Sequence, residues 1–508
     1  MRFGDLIASR ANCFGDKTAV IYKGKEYSYS QLDKNADSVA AFLHSTGTGL
    51  GSHVIYIAYN SEMYFEILTA CSRIGAIFTP ISWRLCINDI TKLVDATDAK
   101  VIFASRSFLE AIEAEGFCPG ERHKIVVLDD EYENCIPYRK CLDYAPMETA
   151  AGGSGDRCLM QIYTSGTTSV PKGVMLSDEA VCSHALGHLS DIGERYDCVF
   201  VCVLPLFHAS SSGSLATLLA GATVVVLERF RPEEYLRTVE RYRATALSLT
   251  PSMFSAVLNE METGHYDLSS VKSVIYGAEP ILAKYVRKAN EVLGCSFFQL
   301  FGMSEMGPVV TILRAEDHDI KDESLLEKRL KSVGRVALGA KIKVVGPDGK
   351  ECACGEPGEI YAKGLGQMMG YYNDPEKTAA AFCDGWYRSG DIGYIDEDNY
   401  LYLVGRMSDM IISGGENVYP KAVEECILAL EDVENAAVIG LPDDHLGEAV
   451  TAVIVKKPGS ELDEAQVQSW CTGKIAGYMK PRKVIFTEAL PVNSTGKIDK
   501  KKLVEIFS

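Results

Sequence analysis

A chain of 508 residues exceeds what one hydrophobic core usually serves, so at least two domains are expected. Its 47% hydrophobic and 24% charged content describes an ordinary soluble globular protein. A net charge of −18, from 51 basic against 69 acidic residues, argues against nucleic acid or an anionic membrane as the main partner.

The chain opens on Met1-Arg2-Phe3-Gly4-Asp5, without the continuous apolar core of a signal peptide. Residues 54–58 and 101–104 read as strands, and residues 61–72 carry helical spacing at Met63, Phe65, Leu68 and Ala70. Continued alternation of this kind predicts an α/β architecture with largely parallel sheets. A Gly/Ser/Ala-rich segment at 149–156 reads as exposed and mobile. The apolar stretches 199–207 and 215–227 are too short or too glycine-broken to span a bilayer, and read as buried strand and helix. Residues 296–300 predict a strand, and the charged run 316–331 a solvated helix or loop. Near residue 340 the pattern turns to β, with a turn at Gly346-Pro347-Asp348-Gly349 and strands continuing to Leu403. Met410-Ile411-Ile412-Ser413-Gly414-Gly415 reads as a strand ending in a glycine turn. The 16 cysteines are scattered, which fits small buried hydrophobes in a reducing compartment. The one close pair, Cys352-Ala353-Cys354, cannot fill a four-ligand zinc site. A cytoplasmic location is expected, and the terminal Ile506-Phe507-Ser508 is not the Ser-Lys-Leu peroxisomal address.

The densest chemistry lies in Tyr163-Thr164-Ser165-Gly166-Thr167-Thr168-Ser169-Val170-Pro171-Lys172-Gly173. Glycines let backbone N–H groups approach phosphate oxygens, hydroxyls donate to them, and Lys172 adds a point charge. Leu159, Met160 and Ile162 precede the loop and predict that it leaves the end of a buried strand. It is not a Walker A loop: Pro171 stands where the second glycine belongs, and Lys172 is followed by Gly173.

This loop resembles the phosphate loop of the adenylate-forming superfamily of acyl-CoA synthetases, nonribosomal adenylation domains and firefly-type luciferases. Further stretches resemble that family's motifs in the family's order, across almost all 508 residues. They include Gly75-Ala76-Ile77-Phe78-Thr79-Pro80, Pro205-Leu206-Phe207-His208, Tyr276-Gly277-Ala278-Glu279-Pro280 and Phe301-Gly302-Met303-Ser304-Glu305. Tyr387-Arg388-Ser389-Gly390-Asp391, Gly405-Arg406 and Thr495-Gly496-Lys497-Ile498 complete the series. The resemblance implies a large N-terminal domain of stacked α/β sheets with a β-subdomain (1–405), then a small mobile α+β domain (406–508) hinged at about 406–409. Family members commonly carry Asp or Lys two residues after the arginine, where this chain has Ser408.

The implied reaction has two halves. A carboxylate attacks the α-phosphorus of ATP, giving an acyl-adenylate and pyrophosphate, and the thiol of CoA then displaces AMP. Thr164, Ser165, Gly166, Thr167, Thr168 and Lys172 would hold the phosphates. Glu305, with Thr164 or a neighbouring hydroxyl, would hold Mg²⁺, since one carboxylate plus phosphate oxygens and waters is a usual Mg²⁺ shell. Gly277, Ala278, Glu279, Phe301, Gly302, Met303 and Ser304 would border the adenine side. Asp391 and Arg406 resemble the ribose-binding pair.

Lys497 would bridge the reacting carboxylate and α-phosphate. Lys497→Ala is expected to slow adenylate formation roughly 10²–10³-fold while sparing the thioester half, the scale for one preorganised charge stabiliser. His208 stands where the amino-acid-activating branch has an Asp, which disfavours amino-acid substrates. It would gate the carboxylate pocket and the thiol path. Gly414 and Gly415 would let the pantetheine arm pass close to backbone. His208, Ala209, Tyr276, Gly277, Met303 and Met306 suggest a mostly apolar slot. The reading is an AMP-forming carboxylate–CoA ligase for a fatty or aromatic acid, with no nucleic-acid partner and with a homodimer left open. An acyl-AMP ligase loading a carrier protein is the alternative. A luciferase-like oxygenase and a non-catalytic binding module are weaker rivals.

Overall fold

The structure is a computed structural model describing residues 1–115, 122–129, 131–147, 154–164, 171–193, 195–208, 211–277, 283–492 and 498–508. The described chain divides into two compact units. One comprises residues up to 342 together with 362–387, and the other comprises 343–361 and 388–508.

The first unit is built on two sheets of eight and nine strands. In the eight-stranded sheet the run from Ile77–Pro80 through His53–Ile57 and Val101–Ala104 to Lys124–Val127 is parallel, in adjacent registers such as Tyr56 with Pro80 and with Phe103. The strands His53–Ile57, Ile77–Pro80 and Val101–Ala104 are buried at every position, which is why they read as unbroken apolar runs rather than alternating ones. The nine-stranded sheet sets Val199–Cys202 parallel to Thr223–Val226 and Ala246–Leu249, and continues through Ser273–Gly277 to Ser296–Met303. One core joins both sheets, with Val54, Phe78 and Met160 from one and Val20, Phe200 and Val224 from the other. Helix Ser211–Leu219 carries no charged residue and is buried along its whole length. Helix Tyr29–Ser45 starts at a capping box in which Ser28 and Gln31 satisfy each other's backbone N–H, and it buries Leu32, Val39 and Leu43.

Two expectations need correction. The strand expected at 296–300 runs to Met303, because Gly307–Leu313 folds back antiparallel and pairs Gly307 with Met303. Phe301, Gly302 and Met303 are therefore strand residues. The run 316–331 contains helices Ala315–His318 and Glu323–Leu330, but it is not wholly solvated: Asp317, His318, Leu326, Arg329 and Leu330 are buried. Asp317 turns inward because its carboxylate accepts the Arg314 N–H at 2.9 Å and starts the first of these helices. Of the segment 149–156, residues 149–153 lie outside the described residues.

The second unit contains the antiparallel pairing of Asp391 with Arg406. It also contains a sheet built on the long hairpin Val433–Asp443 and Gly447–Lys456, with Lys483–Phe486 parallel to the latter. Helices Pro420–Leu428 and Glu464–Cys471 supply Val423, Ile427 and Val467 to its core. The expected strand at 410–415 is Ile411–Ser413, which turns back at Gly414 and Gly415. Cys71 and Cys202 are buried as expected, whereas Cys426 is only partly so.

Candidate active site

The phosphate-loop sequence leaves strand Cys158–Thr164 and returns in strand Lys172–Ser177, and Thr164 is paired in register with Lys172. Both roots of the loop are thus fixed by one antiparallel ladder. Ser165, Gly166, Thr167 and Thr168 lie outside the described residues. The Lys172 ammonium sits 5.0 Å from the centre of the Tyr371 ring, a cation–π distance. The Tyr371 hydroxyl in turn donates to Glu305 Oε1 at 3.0 Å. Tyr387 lies close enough for the Glu305 charge to act on its hydroxyl. Burial, and then the Glu305 carboxylate, push both phenols far above their ordinary range, so both remain donors at neutral pH.

Lys172 and Glu305 are therefore joined through one tyrosine that the sequence reading gave no role. Its signal was the aromatic pair Tyr371-Tyr372 after a glycine. Tyr371 is held in turn by strand pairing with Val174 and by its N–H on Thr378 Oγ1 at 2.9 Å. The Glu305 carbonyl accepts the Met368 N–H at 2.8 Å, which fixes the backbone carrying the carboxylate.

Among the described residues, no group of three or more His, Cys, Asp or Glu side chains could hold a metal ion. The candidates Glu305 and Thr164 offer oxygen donors only, and lie on elements that Lys172 and Tyr371 bring together. Such a sparse oxygen set suits Mg²⁺, which keeps water and phosphate oxygens in most of its shell.

Gly277 ends its strand in register with Leu300, and a Cβ there would stand 2.5 Å from the Leu300 carbonyl oxygen. At Gly302 a Cβ would meet the Gly307 carbonyl oxygen at 2.4 Å. Close backbone approach, rather than turn conformation, demands glycine at both. Phe301 and Met303 are partly buried against the main core, and Ser304 follows the strand end. Ala278 and Glu279 lie outside the described residues.

Tyr276 does not line a slot. It is 1% exposed, its hydroxyl lies 2.9 Å from His318 Nε2, and its ring stacks near Phe254. The neighbouring His318 imidazole is pushed down to about 4 by burial. Met306 does line a cavity, of about 100 Å³, together with His184, Val309, Ala337 and four glycines.

His208 ends a turn pinned by buried Asn60, whose amide donates to the Leu204 and Leu227 carbonyls and whose Oδ1 accepts the Leu206 N–H at 2.9 Å. The His208 ring lies 4.5 Å from Phe207, which meets Trp83 edge-on at 6.2 Å. Asn60 escaped the sequence reading because its partners are more than 140 positions away. Ala209 lies outside the described residues.

In the second unit, Arg406 Nε donates to Asp391 Oδ1 at 2.9 Å. Asp391 is buried while the Arg406 side chain is half exposed, so the pair presents its cationic end outward. Gly414 and Gly415 have φ of +60° and +84°, and no atom lies within 4 Å of a Cβ added at Gly415. Backbone conformation, not space, is what glycine supplies at position 415. Lys497 lies outside the described residues.

A family model described as AMP-binding enzyme matches residues 7–372, and one described as AMP-binding enzyme C-terminal domain matches residues 422–497. The chain is 33% identical over 506 residues to a feruloyl-CoA synthase of an Amycolatopsis species, covering 99% of both chains. It is 31% identical to an indoleacetate–CoA ligase of Aromatoleum aromaticum, covering 100% of this chain and 98% of that one. The crystal structure of ATP-bound MatB from Rhodopseudomonas palustris superposes with a TM-score of 0.89 at 29% identity, covering 100% of this chain and 99% of the other.

Proposed function

This chain belongs to the AMP-binding enzyme family and is an AMP-forming acid–CoA ligase, and from that premise we propose that it activates an apolar carboxylic acid, aryl acids foremost. The observation that carries the reading is the Lys172–Tyr371–Glu305 linkage, which sets a cation and a carboxylate beside the two roots of the phosphate loop. Bringing an anionic acid up to a polyanion is limited by charge repulsion, so fixed cations and donors at this place act on the barrier itself.

In this reading Thr164 and Lys172 hold the ATP phosphates together with Ser165, Gly166, Thr167 and Thr168. Glu305 and Thr164 would hold Mg²⁺, which would supply charge neutralisation on the phosphate oxygens. Gly277, Ala278, Glu279, Phe301, Gly302, Met303 and Ser304 border the base, and Asp391 with Arg406 receives the ribose hydroxyls. Lys497 stabilises charge between the acid and the α-phosphate. His208 opens the way for the CoA thiol, and Gly414 and Gly415 accommodate the pantetheine arm. The turn Met407–Asp409 serves as the pivot between the two half-reactions, with residues 1–405 and 406–508 as the two domains. The apolar cavity beside Met306 and Val309, and the aryl acids named for two relatives, support the choice of substrate. No described helix is long and apolar enough to cross a membrane, which fits our reading of the enzyme as cytoplasmic.

The test is a panel of ferulate, indoleacetate, benzoate, octanoate and palmitate in an AMP-release assay, with and without CoA. Release that requires CoA, with thioester formed from at least one aryl acid, is the expected result. Pyrophosphate exchange without any CoA thioester would instead point to transfer onto a carrier protein.

A further inference from the structure

Beneath the phosphate loop, a chain of buried polar side chains crosses the eight-stranded sheet. His53 Nδ1 lies 2.6 Å from Asp98 Oδ1, and His53 Nε2 lies 3.1 Å from Gln161 Oε1. The Gln161 amide nitrogen donates to the Tyr163 hydroxyl at 2.8 Å. His53 and Gln161 are 2% and 0% exposed, whereas the Asp98 side chain is 69% exposed, so the chain runs from solvent through the core to the residue before Thr164. His53 Nδ1 faces the Asp98 carboxylate and His53 Nε2 faces the Gln161 amide, so the ring is held from both sides. Burial works against the Asp98 carboxylate, but the His53 hydrogen bond and charge outweigh it and hold Asp98 below its usual range.

The same cluster also grips the other root of the loop. The His53 ring meets Tyr372 edge-on at 4.8 Å, and the Tyr372 N–H donates to the Gly173 carbonyl at 2.8 Å. A Cβ at Gly173 would come within 2.9 Å of the Gln161 amide and 3.2 Å of Tyr372 Cβ, so this glycine lets the strand close onto the relay. Tyr163 is paired with Gly173, and Thr164 with Lys172. One polar structure thus fixes the residue before the loop and the residue after Lys172.

Stability alone does not explain this choice of residues. Burying an imidazole and an amide costs free energy that a Val or Leu pair would not. A fully connected polar network, however, admits one arrangement where an apolar core admits several. A phosphate cradle needs its donors placed to within a fraction of an ångström. We infer that Asp98, His53, Gln161 and Tyr163 are positioning residues, which fix the strand roots at Thr164 and Lys172 and so tune affinity for the polyphosphate of ATP.

The inference rests on the reading of this loop as an ATP site, and binding by the full-length chain separates the two. Titration calorimetry would measure MgATP and adenosine on wild type, Tyr163→Phe, Gln161→Met and the double variant. Tyr163→Phe should weaken MgATP by about 3- to 10-fold, the consequence of losing one buried hydrogen bond, and Gln161→Met, which loses its contacts to both His53 and Tyr163, by at least as much, while both leave adenosine within about twofold. The double variant should be no weaker than Gln161→Met alone, because both break one chain. Equal weakening of both ligands would reduce the relay to a support of the fold. Unchanged MgATP affinity in Tyr163→Phe and Gln161→Met would remove it from the site altogether. Wild type that fails to bind MgATP would overturn the ATP reading instead.

Discussion

Glu66 and Glu305 are both carboxylates of the first unit that accept from uncharged donors, yet their surroundings differ. Glu66, on helix Met63–Ile74, is 1% exposed, with Asn35 Nδ2 on one oxygen at 2.8 Å and the Tyr138 hydroxyl on the other. Glu305 receives the Tyr371 hydroxyl, is only partly buried, and has Lys172 over the ring of that donor. Burial pushes the Glu66 carboxyl up to about 7, against the pull of both its donors. A strongly displaced titration is often taken as the mark of a catalytic group. In this protein it marks a carboxyl walled in by apolar packing. The carboxylate suited to chemistry is the one beside a cation and within reach of solvent.

The sharpest test of that contrast is a pair of isosteric changes. Glu305→Gln should lower the rate of adenylate formation by roughly 10²–10³-fold, the scale for losing one preorganised charge at a phosphoryl centre. Glu66→Gln should leave the rate within about twofold, as expected away from the reacting atoms. Pyrophosphate exchange at saturating ATP measures both. Comparable losses in the two variants would erase the distinction.

That Glu305 could be singled out at all reflects how the sequence stores the site. The proposed site residues Glu305, Asp391 and Lys172 could be named because each sits in a contiguous pattern with few other uses. The parallel strands were legible too, since burial on both faces writes itself as apolar runs at 54–58 and 101–104. The parts that support the site were not. Tyr371 meets Glu305 across 66 positions and Asn60 meets Leu206 across 146, and each reads locally as an ordinary core or loop residue. Tyr276 misled for the same reason in reverse: motif position placed it near a slot, while its ring belongs to a core shared with Phe254 and His318. The strand extension through Phe301 to Met303 depended on a partner that only the fold supplies.

A smaller effect should follow from the donor rather than the acid. Tyr371→Phe removes one hydrogen bond to Glu305 but keeps the ring face under the Lys172 ammonium. A loss of about 10-fold in adenylation is expected, the worth of one hydrogen bond to a charged acceptor at its lower end. Tyr371→Leu, which also removes the aromatic face, should cost more. Equal losses in the two variants would show that the ring contributes nothing to placing Lys172.

The smallest effect concerns stability, not rate, and its sign follows from the direction of the Glu66 displacement. A carboxyl raised from 4.5 to about 7 in the folded chain keeps its proton there after the unfolded chain has released it. Between those two values the native state binds more protons, so stability falls as pH rises, and above about 7 the fall is complete. The favourable contribution is therefore present below pH 4.5 and absent at pH 8. Glu66→Gln has nothing to ionise, so it should lose less stability than wild type between pH 5 and pH 8, by on the order of 1–3 kcal/mol. Glu62 and Asp178, also raised by burial, add slope of the same sign to both proteins, and His184 and His318, each pushed down to about 4, add slope of the opposite sign, so the difference between the two proteins is what reports Glu66. Urea unfolding of both proteins at the two pH values measures the difference. Glu66→Gln following the wild type in parallel between the two pH values would mean that Glu66 is charged within the fold, and the contrast with Glu305 would then rest on position alone.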